Sequence, residues 1–269
     1  MKILVTGHKG FIGAHITKKL DALGIAWEGF DLVEGDDVRN IVRLDTVLEK
    51  SQADIIIHLA ALAGVRRGED YPQQYFDTNV IGTNNLIRVA EKYKVKKLIA
   101  FSSSSVDGGN PKGVYGTSKL AMEHLVRRAN LPFKFIVRPF TVYGEGGRRD
   151  QVIFKWKEQY LNGKPLTFFG DGSAYRTQVY AGDLADAVMM MLTYEPADDS
   201  DITFEIGGGE RITVAKILEI FQSKYPDAKV ERLPLPSCDS LGREPDMYEV
   251  TKMGWKPKTD FTTKVTEII

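Results

Sequence analysis

The chain has 269 residues, 43% of them hydrophobic, with 36 basic and 36 acidic side chains. That length can bury a substantial core, and the balanced charge argues against a nucleic-acid or membrane-surface role resting on electrostatics. No apolar run approaches the roughly 18 residues that span a bilayer, the first residues lack a signal-peptide layout, and the single cysteine, Cys238, cannot close an internal disulfide, so a reducing cytoplasm is the expected setting.

Taken in chain order, a strand at 3–6 leads into a helix at 11–23, then a strand at 27–31 and a helix at 41–50. The strand at 54–59 contains Ile55, Ile56 and Ile57, apolar on both faces as expected where helices cover a sheet on each side. A helix at 73–92, a strand at 97–101, a helix at 114–129 and a strand at 133–138 complete the alternation. This rhythm predicts an α/β fold with a Rossmann-type doubly wound parallel sheet, its ligands at the carboxyl ends of the strands. Beyond about 144 it loosens. Helices are expected at 151–161, 184–192 and 214–224, a strand at 203–206, and turns at 162–163 and 170–172, with Pro234, Pro236 and Pro245 punctuating the tail. The expected organisation is a dinucleotide-binding domain over 1–143, to which later segments such as 177–193 return. A smaller C-terminal substrate-binding lobe occupies most of 144–269.

Thr6-Gly7-His8-Lys9-Gly10-Phe11-Ile12-Gly13 lies directly between a strand and a helix. Gly7 permits the tight turn, Gly10 lets the backbone approach a pyrophosphate, and Gly13 allows close helix–strand packing. The helix opening at Phe11 and Ile12 would hold phosphates through its free N–H groups and dipole. Asp31 ends the second strand, where a carboxylate grips a ribose 2′-hydroxyl. It would repel the 2′-phosphate of NADP, and neither Leu32 nor Val33 offsets that charge, so NAD is the expected cofactor. The four histidines, His8, His15, His58 and His124, are scattered without metal-ligand spacing, and no metal is expected.

In Tyr115-Gly116-Thr117-Ser118-Lys119 the tyrosine and lysine stand at i and i+4, on one face of a helix. A free phenol has a pKa of about 10, and a neighbouring ammonium favours the phenolate and lowers that value. Lys119 could also hold the nicotinamide ribose.

The glycine order, with two residues between the first and second, resembles that of the extended short-chain dehydrogenase/reductase family, in its nucleotide-sugar epimerase/dehydratase branch, and the match continues along almost the whole chain. Asp37-Val38 resembles the family's adenine-contacting pair, His58-Leu59-Ala60-Ala61 the segment beside the dinucleotide, and Asn79-Val80-Ile81-Gly82-Thr83 its mid-helix motif. His58 and Asn79 also have plainer readings, a satisfied core histidine and a side chain bonded to nearby backbone. The resemblance implies that the catalytic hydroxyl belongs to Ser103, three residues before Val106. Ser102 would then lie on the cofactor side, and Ser104 and Ser105 on the substrate side.

The stretch Arg138 to Arg148 resembles that of epimerases acting on UDP-hexuronic acids. It implies Thr141 and Arg148 in the sugar-diphosphate pocket and Pro139 and Phe140 beside the nicotinamide. Phe169 to Ser173 with Arg176 resembles the nucleotide-gripping turn and strand, and Arg243 is a candidate for a second diphosphate contact. Asp107 departs from the family, which carries tyrosine there, and the 108–114 loop is short.

The resemblance implies an NAD-dependent nucleotide-sugar 4-epimerase, homodimeric, with a nucleotide-sugar substrate and no nucleic-acid or membrane partner. A dehydratase or decarboxylase on the same scaffold normally places an acid in one of the two positions after the catalytic Ser/Thr, where Ser104 and Ser105 stand. A non-catalytic NAD-binding protein would not need the tyrosine.

Overall fold

The computed structural model describes residues 1–109, 111, 113–197, 201–235 and 242–269. Cys238 lies outside the described residues, as do Asn110 and Lys112 of the short loop, and so does the side chain of Asp107.

The chain opens β1 (Ile3–Thr6), α1 (Phe11–Ala22), β2 (Trp27–Phe30), α2 (Ile41–Ser51) and β3 (Ile55–His58). There follow α3 (Val65–Asp70), α4 (Pro72–Phe76), one turn of π-helix (Asp77–Gly82), α5 (Thr83–Lys92), β4 (Lys97–Phe101), α6 (Gly113–Arg128) and β5 (Phe133–Pro139). The remainder comprises β6 (Thr141–Tyr143), α7 (Val152–Leu161), β7 (Leu166–Phe169), β8 (Tyr175–Tyr180), α8 (Ala181–Thr193), β9 (Asp201–Ile206), β10 (Arg211–Thr213), α9 (Val214–Lys224), β11 (Val230–Leu233), α10 (Tyr248–Lys252) and α11 (Phe261–Ile268).

Two compact units result, one of Met1–Pro139, Ala185–Glu205 and Met247–Trp255, the other of Phe140–Leu184, Ile206–Asp246 and Lys256–Ile269. The first is built on a six-stranded sheet in the order β2-β1-β3-β4-β5-β9. Its β1–β2, β1–β3, β3–β4 and β4–β5 pairs are parallel. The strand order reverses between β1 and β3, the switch point at which doubly wound sheets open a ligand crevice. Leu4, Ile56, Leu98 and Ile136, one from each central strand, share a core with Leu44 and Val47 of α2 and Leu86 of α5. The second unit carries a three-stranded sheet, β10-β8-β6, and the parallel pair β11–β7, around Trp156, Phe168 and Phe221.

The single helix expected at 73–92 is replaced by α4, the π turn and α5. Two contacts hold the wider turn. The Asn79 amide bonds the Leu62 backbone, and Gly82 lies so close to Val38 that a Cβ would approach its Cγ2 to 2.6 Å. Among the described residues no helix is long and apolar enough to cross a membrane.

Candidate active site

The glycine loop shows why each glycine stands where it does. Gly7 has φ +73, and a Cβ there would lie 2.7 Å from the Ala60 nitrogen and 2.9 Å from the Leu59 carbonyl carbon, so the β1–α1 turn sits directly on the end of β3. A Cβ on Gly13 would come within 2.3 Å of the Gly7 oxygen. Gly10 has an ordinary φ of −71 and would meet only that same oxygen, at 3.2 Å. The fold therefore asks little of Gly10, and its side of the loop is open for a ligand to approach. Gly10 is also the N-cap of α1 and makes no side-chain capping bond, so the first N–H groups, at Phe11 and Ile12, have no capping side chain over them.

Asp31 is buried, its carboxylate accepting from the Lys9 N–H at 2.9 Å and the Val33 N–H at 3.0 Å. The nearby cation that sequence reading missed is Lys9, which the loop brings beside β2. Its ammonium is already paired with Glu34 at 2.9 Å, and His8 faces the same carboxylate at 3.2 Å. Asp37 is gripped by Arg39 through three bonds of 2.6–3.0 Å, which hold its carboxyl below the usual range, and Val38 is packed on Gly82.

A chain of buried hydrogen bonds links the glycine loop to α6. The Ala60 N–H donates to Thr6 Oγ1, whose hydroxyl donates to His58 Nδ1 at 2.7 Å. His58 Nε2–H then faces Thr83 Oγ1 at 2.9 Å, and that hydroxyl donates to the Asn79 carbonyl. These directions follow from a neutral His58, whose pKa burial and the nearby Lys119 charge lower to about 3, and from the Thr83 proton being spent on Asn79. His58 is thus a satisfied core histidine. Asn79 spends its amide on the Leu62 backbone and on Ser118 Oγ, which donates to the Tyr115 carbonyl. The segment from Leu59 to Leu62 is thereby fastened between the glycine loop and Asn79.

Ser102 and Ser103 are buried just past β4, and Ser104 and Ser105 begin a 3₁₀ turn, Ser105 donating its N–H to Ser103 Oγ at 3.1 Å. On α6, Tyr115 and Lys119 are both buried. The Tyr115 ring meets Tyr75 edge-on at 6.1 Å, and Val114, at the start of the helix, donates its N–H to Glu69. Lys119 Nζ donates to the Phe101 carbonyl at 2.7 Å. Burial lowers its pKa to about 8, against an opposing pull from Glu123. Glu123 and Arg138, given no role in the sequence reading, form a buried fork beside Ser102, with Arg138 Nε and Nη2 donating at 2.8 and 2.6 Å. The available signal was Glu123 standing four residues after Lys119 on the same face. Pro139 ends β5 and is buried.

Apart from Ser104 and Ser105, which lie in the first unit, the candidate substrate residues Thr141, Arg148, Arg176 and Arg243 belong to the second. Thr141 starts β6, in register with Gln178 of β8. Phe140 donates its N–H to the Ile206 carbonyl, and the Arg243 guanidinium lies 5.1 Å over its ring. Arg243 also accepts, at its carbonyl, from Thr177 Oγ1, so the 242–246 segment is laid along β8, which carries Arg176. Arg148 is a half-exposed side chain that makes a two-pronged pair with Asp150 at 2.9 Å.

The fold, the open helix N-terminus, Asp31 and the Ser-Tyr-Lys set define a dinucleotide-binding protein of the Rossmann type. Residues 3–207 match the NAD dependent epimerase/dehydratase family, and the chain belongs to that family, with NAD as its cofactor. It is similar along its full length to a probable UDP-glucuronate 4-epimerase of Rhizobium meliloti, 26% identical with 96% of that protein covered. That alignment runs to 332 positions, so the relative carries residues this shorter chain lacks. A UDP-glucuronate 4-epimerase of Thermodesulfobacterium geofontis is 30% identical over 95% of this chain and 91% of its own. Among solved structures, the Bacillus cereus UDP-glucuronic acid 4-epimerase in complex with UDP-glucuronic acid and NAD superposes with a TM-score of 0.87 at 27% identity. That superposition covers 100% of this chain and 97% of the other.

Proposed function

We propose that the chain is a nucleotide-sugar 4-epimerase working through a transient 4-keto sugar, with a UDP-sugar as substrate. The UDP-glucuronate/UDP-galacturonate pair is the first choice and UDP-glucose/UDP-galactose the second. The observation that carries the reading is the buried Lys119 ammonium, one helical turn from Tyr115, on a helix bonded to the strand end that presents Ser103.

NAD, held by the α1 N-terminus and Asp31, supplies the acceptor and donor of hydride when bound. Tyr115 takes the proton of the C4 hydroxyl and later returns it, its phenolate favoured by Lys119. Ser103 donates to the oxygen that becomes the carbonyl. Inversion follows when the keto sugar presents its opposite face before reduction. Ser104 and Ser105 carry no acid, which disfavours elimination of water on the same scaffold. Thr141, Arg176 and Arg243 are assigned to the nucleotide diphosphate. Arg148 is assigned to the diphosphate or uronate, which would take the place of Asp150 on its fork.

A screen of UDP-, GDP- and dTDP-sugars with chromatographic separation of products tests this. Turnover should invert C4, release no net NADH and, in deuterium oxide, place no deuterium on carbon. Deuterium at C5, loss of carbon dioxide or a 4-keto-6-deoxy product would overturn it.

A further inference from the structure

Glu123 is 1% exposed, and the functional reading above gives it no task. Its carboxylate is nonetheless saturated. Ser102 Oγ donates at 2.6 Å, Arg138 donates twice, and Arg127 Nη2 lies at 3.6 Å. Arg138 and Arg127 in turn meet Glu205 at 3.3 Å and Asp201 at 3.1 Å. An isolated buried carboxylate is strongly disfavoured, so a group this deep persists only because its partners are fixed.

The pattern along the backbone is more specific than a buried ion pair. Tyr115, Lys119 and Glu123 stand at i, i+4 and i+8, a single stripe of α6. Lys119 bonds the carbonyl of Phe101, Glu123 bonds the hydroxyl of Ser102, and the next residue is Ser103. Two successive turns of the helix thus grip two successive residues of the strand end. From its other side, Ser102 donates its N–H to Val137 of β5 at 2.7 Å, next to the Arg138 that completes the fork.

We propose that Glu123 is a positioning residue, holding Ser103 in register with Tyr115 and balancing the buried charge of Lys119. This rests on the catalytic roles given above to Ser103, Tyr115 and Lys119. Titratable groups approach Lys119 or its helix from several elements. His58 on β3 is neutral and Tyr115 lies one turn back. Tyr75 of α4 and Glu69 of α3 sit toward the start of the helix, at Tyr115 and Val114. Among the described residues, Glu123 is the anion whose charge raises the affinity of Lys119 for its proton. Without its charge, Arg138 loses both of its bonds to Glu123 and keeps only the 3.3 Å contact with Glu205 among the carboxylates named here.

The test uses the NAD-loaded protein with nitrogen-15-labelled lysine, following the Lys119 Nζ resonance against pH and assigning it by its loss in Lys119→Met. In the wild type the midpoint should lie below the ordinary lysine value of 10.5, and Glu123→Gln should lower it further, by about one pH unit or more. Glu123→Asp keeps the charge but is one methylene shorter. It should restore the midpoint yet leave kcat depressed at unchanged KM, because the carboxylate no longer reaches Ser102. If Glu123→Gln fails to fold, this split in Glu123→Asp still decides. An unmoved Lys119 midpoint in Glu123→Gln, or wild-type kcat in Glu123→Asp, overturns the proposal. The nitrogen titration needs no substrate, so absence of turnover on every sugar would refute the epimerase reading and leave this measurement standing.

Discussion

Replacing Lys119 by Met should abolish most turnover while making the NAD-free protein more stable at neutral pH. Lys119 is buried, and its pKa falls from the usual 10.5 to about 8. At about 1.4 kcal/mol per tenfold change, keeping the ammonium charged in the folded state costs about 3 kcal/mol at pH 7. Met is close in length, removes that cost and gives up the bond to the Phe101 carbonyl, worth about 1 kcal/mol. The net gain is about 2 kcal/mol, or a rise in Tm of about 4–8 °C for a chain of this size.

The pH dependence supplies the sign. Below about 8 both folded and unfolded chains hold the proton, and the penalty is full. Between about 8 and 10.5 only the unfolded chain holds it, so stability rises with pH through that window and the penalty vanishes above it. Urea unfolding of wild type and variant from pH 7 to 10 should show the variant ahead at neutral pH and the two converging at the alkaline end. A variant less stable at pH 7, or a difference independent of pH, would refute the reasoning.

The same substitution at Lys97 should act in the opposite direction. Lys97 Nζ donates to three carbonyls at the end of α8, those of Met191, Leu192 and Tyr194, and lies 5.2–5.3 Å from the rings of Phe133 and Phe135. Lys97→Met orphans those acceptors and should lose about 3 kcal/mol in denaturant melts, an unchanged midpoint counting against this account. Asp31→Ala removes the carboxylate expected to meet the ribose hydroxyl and the repulsion of a 2′-phosphate. The ratio of NADP to NAD dissociation constants, measured by calorimetry, should shrink about tenfold or more; an unaltered ratio would show that Asp31 does not set the preference.

What the sequence determined by itself is local. The run from Ile3 through Gly13 can be read because a buried strand, a turn requiring positive φ and a helix start impose their residue types within eleven positions. Tyr115 and Lys119 can be read because the helical repeat places i and i+4 together. The parallel sheet follows from alternation alone.

Tertiary structure decided whatever depends on burial and on partners distant in the chain. Whether 73–92 forms one regular helix turns on Asn79 reaching Leu62 and on Val38 meeting Gly82, contacts that no periodicity within the segment encodes. Lys9 and Asp31 share a corner because β1 and β2 are neighbours. Arg243 meets Phe140 from 103 positions away, whereas Arg148, only eight residues on, turns to Asp150. Most of all, the charge of Lys119 is set by desolvation and by Glu123, itself fixed by an arginine on β5. A lysine's residue type is written in the sequence; the medium around its nitrogen exists only once the chain has folded.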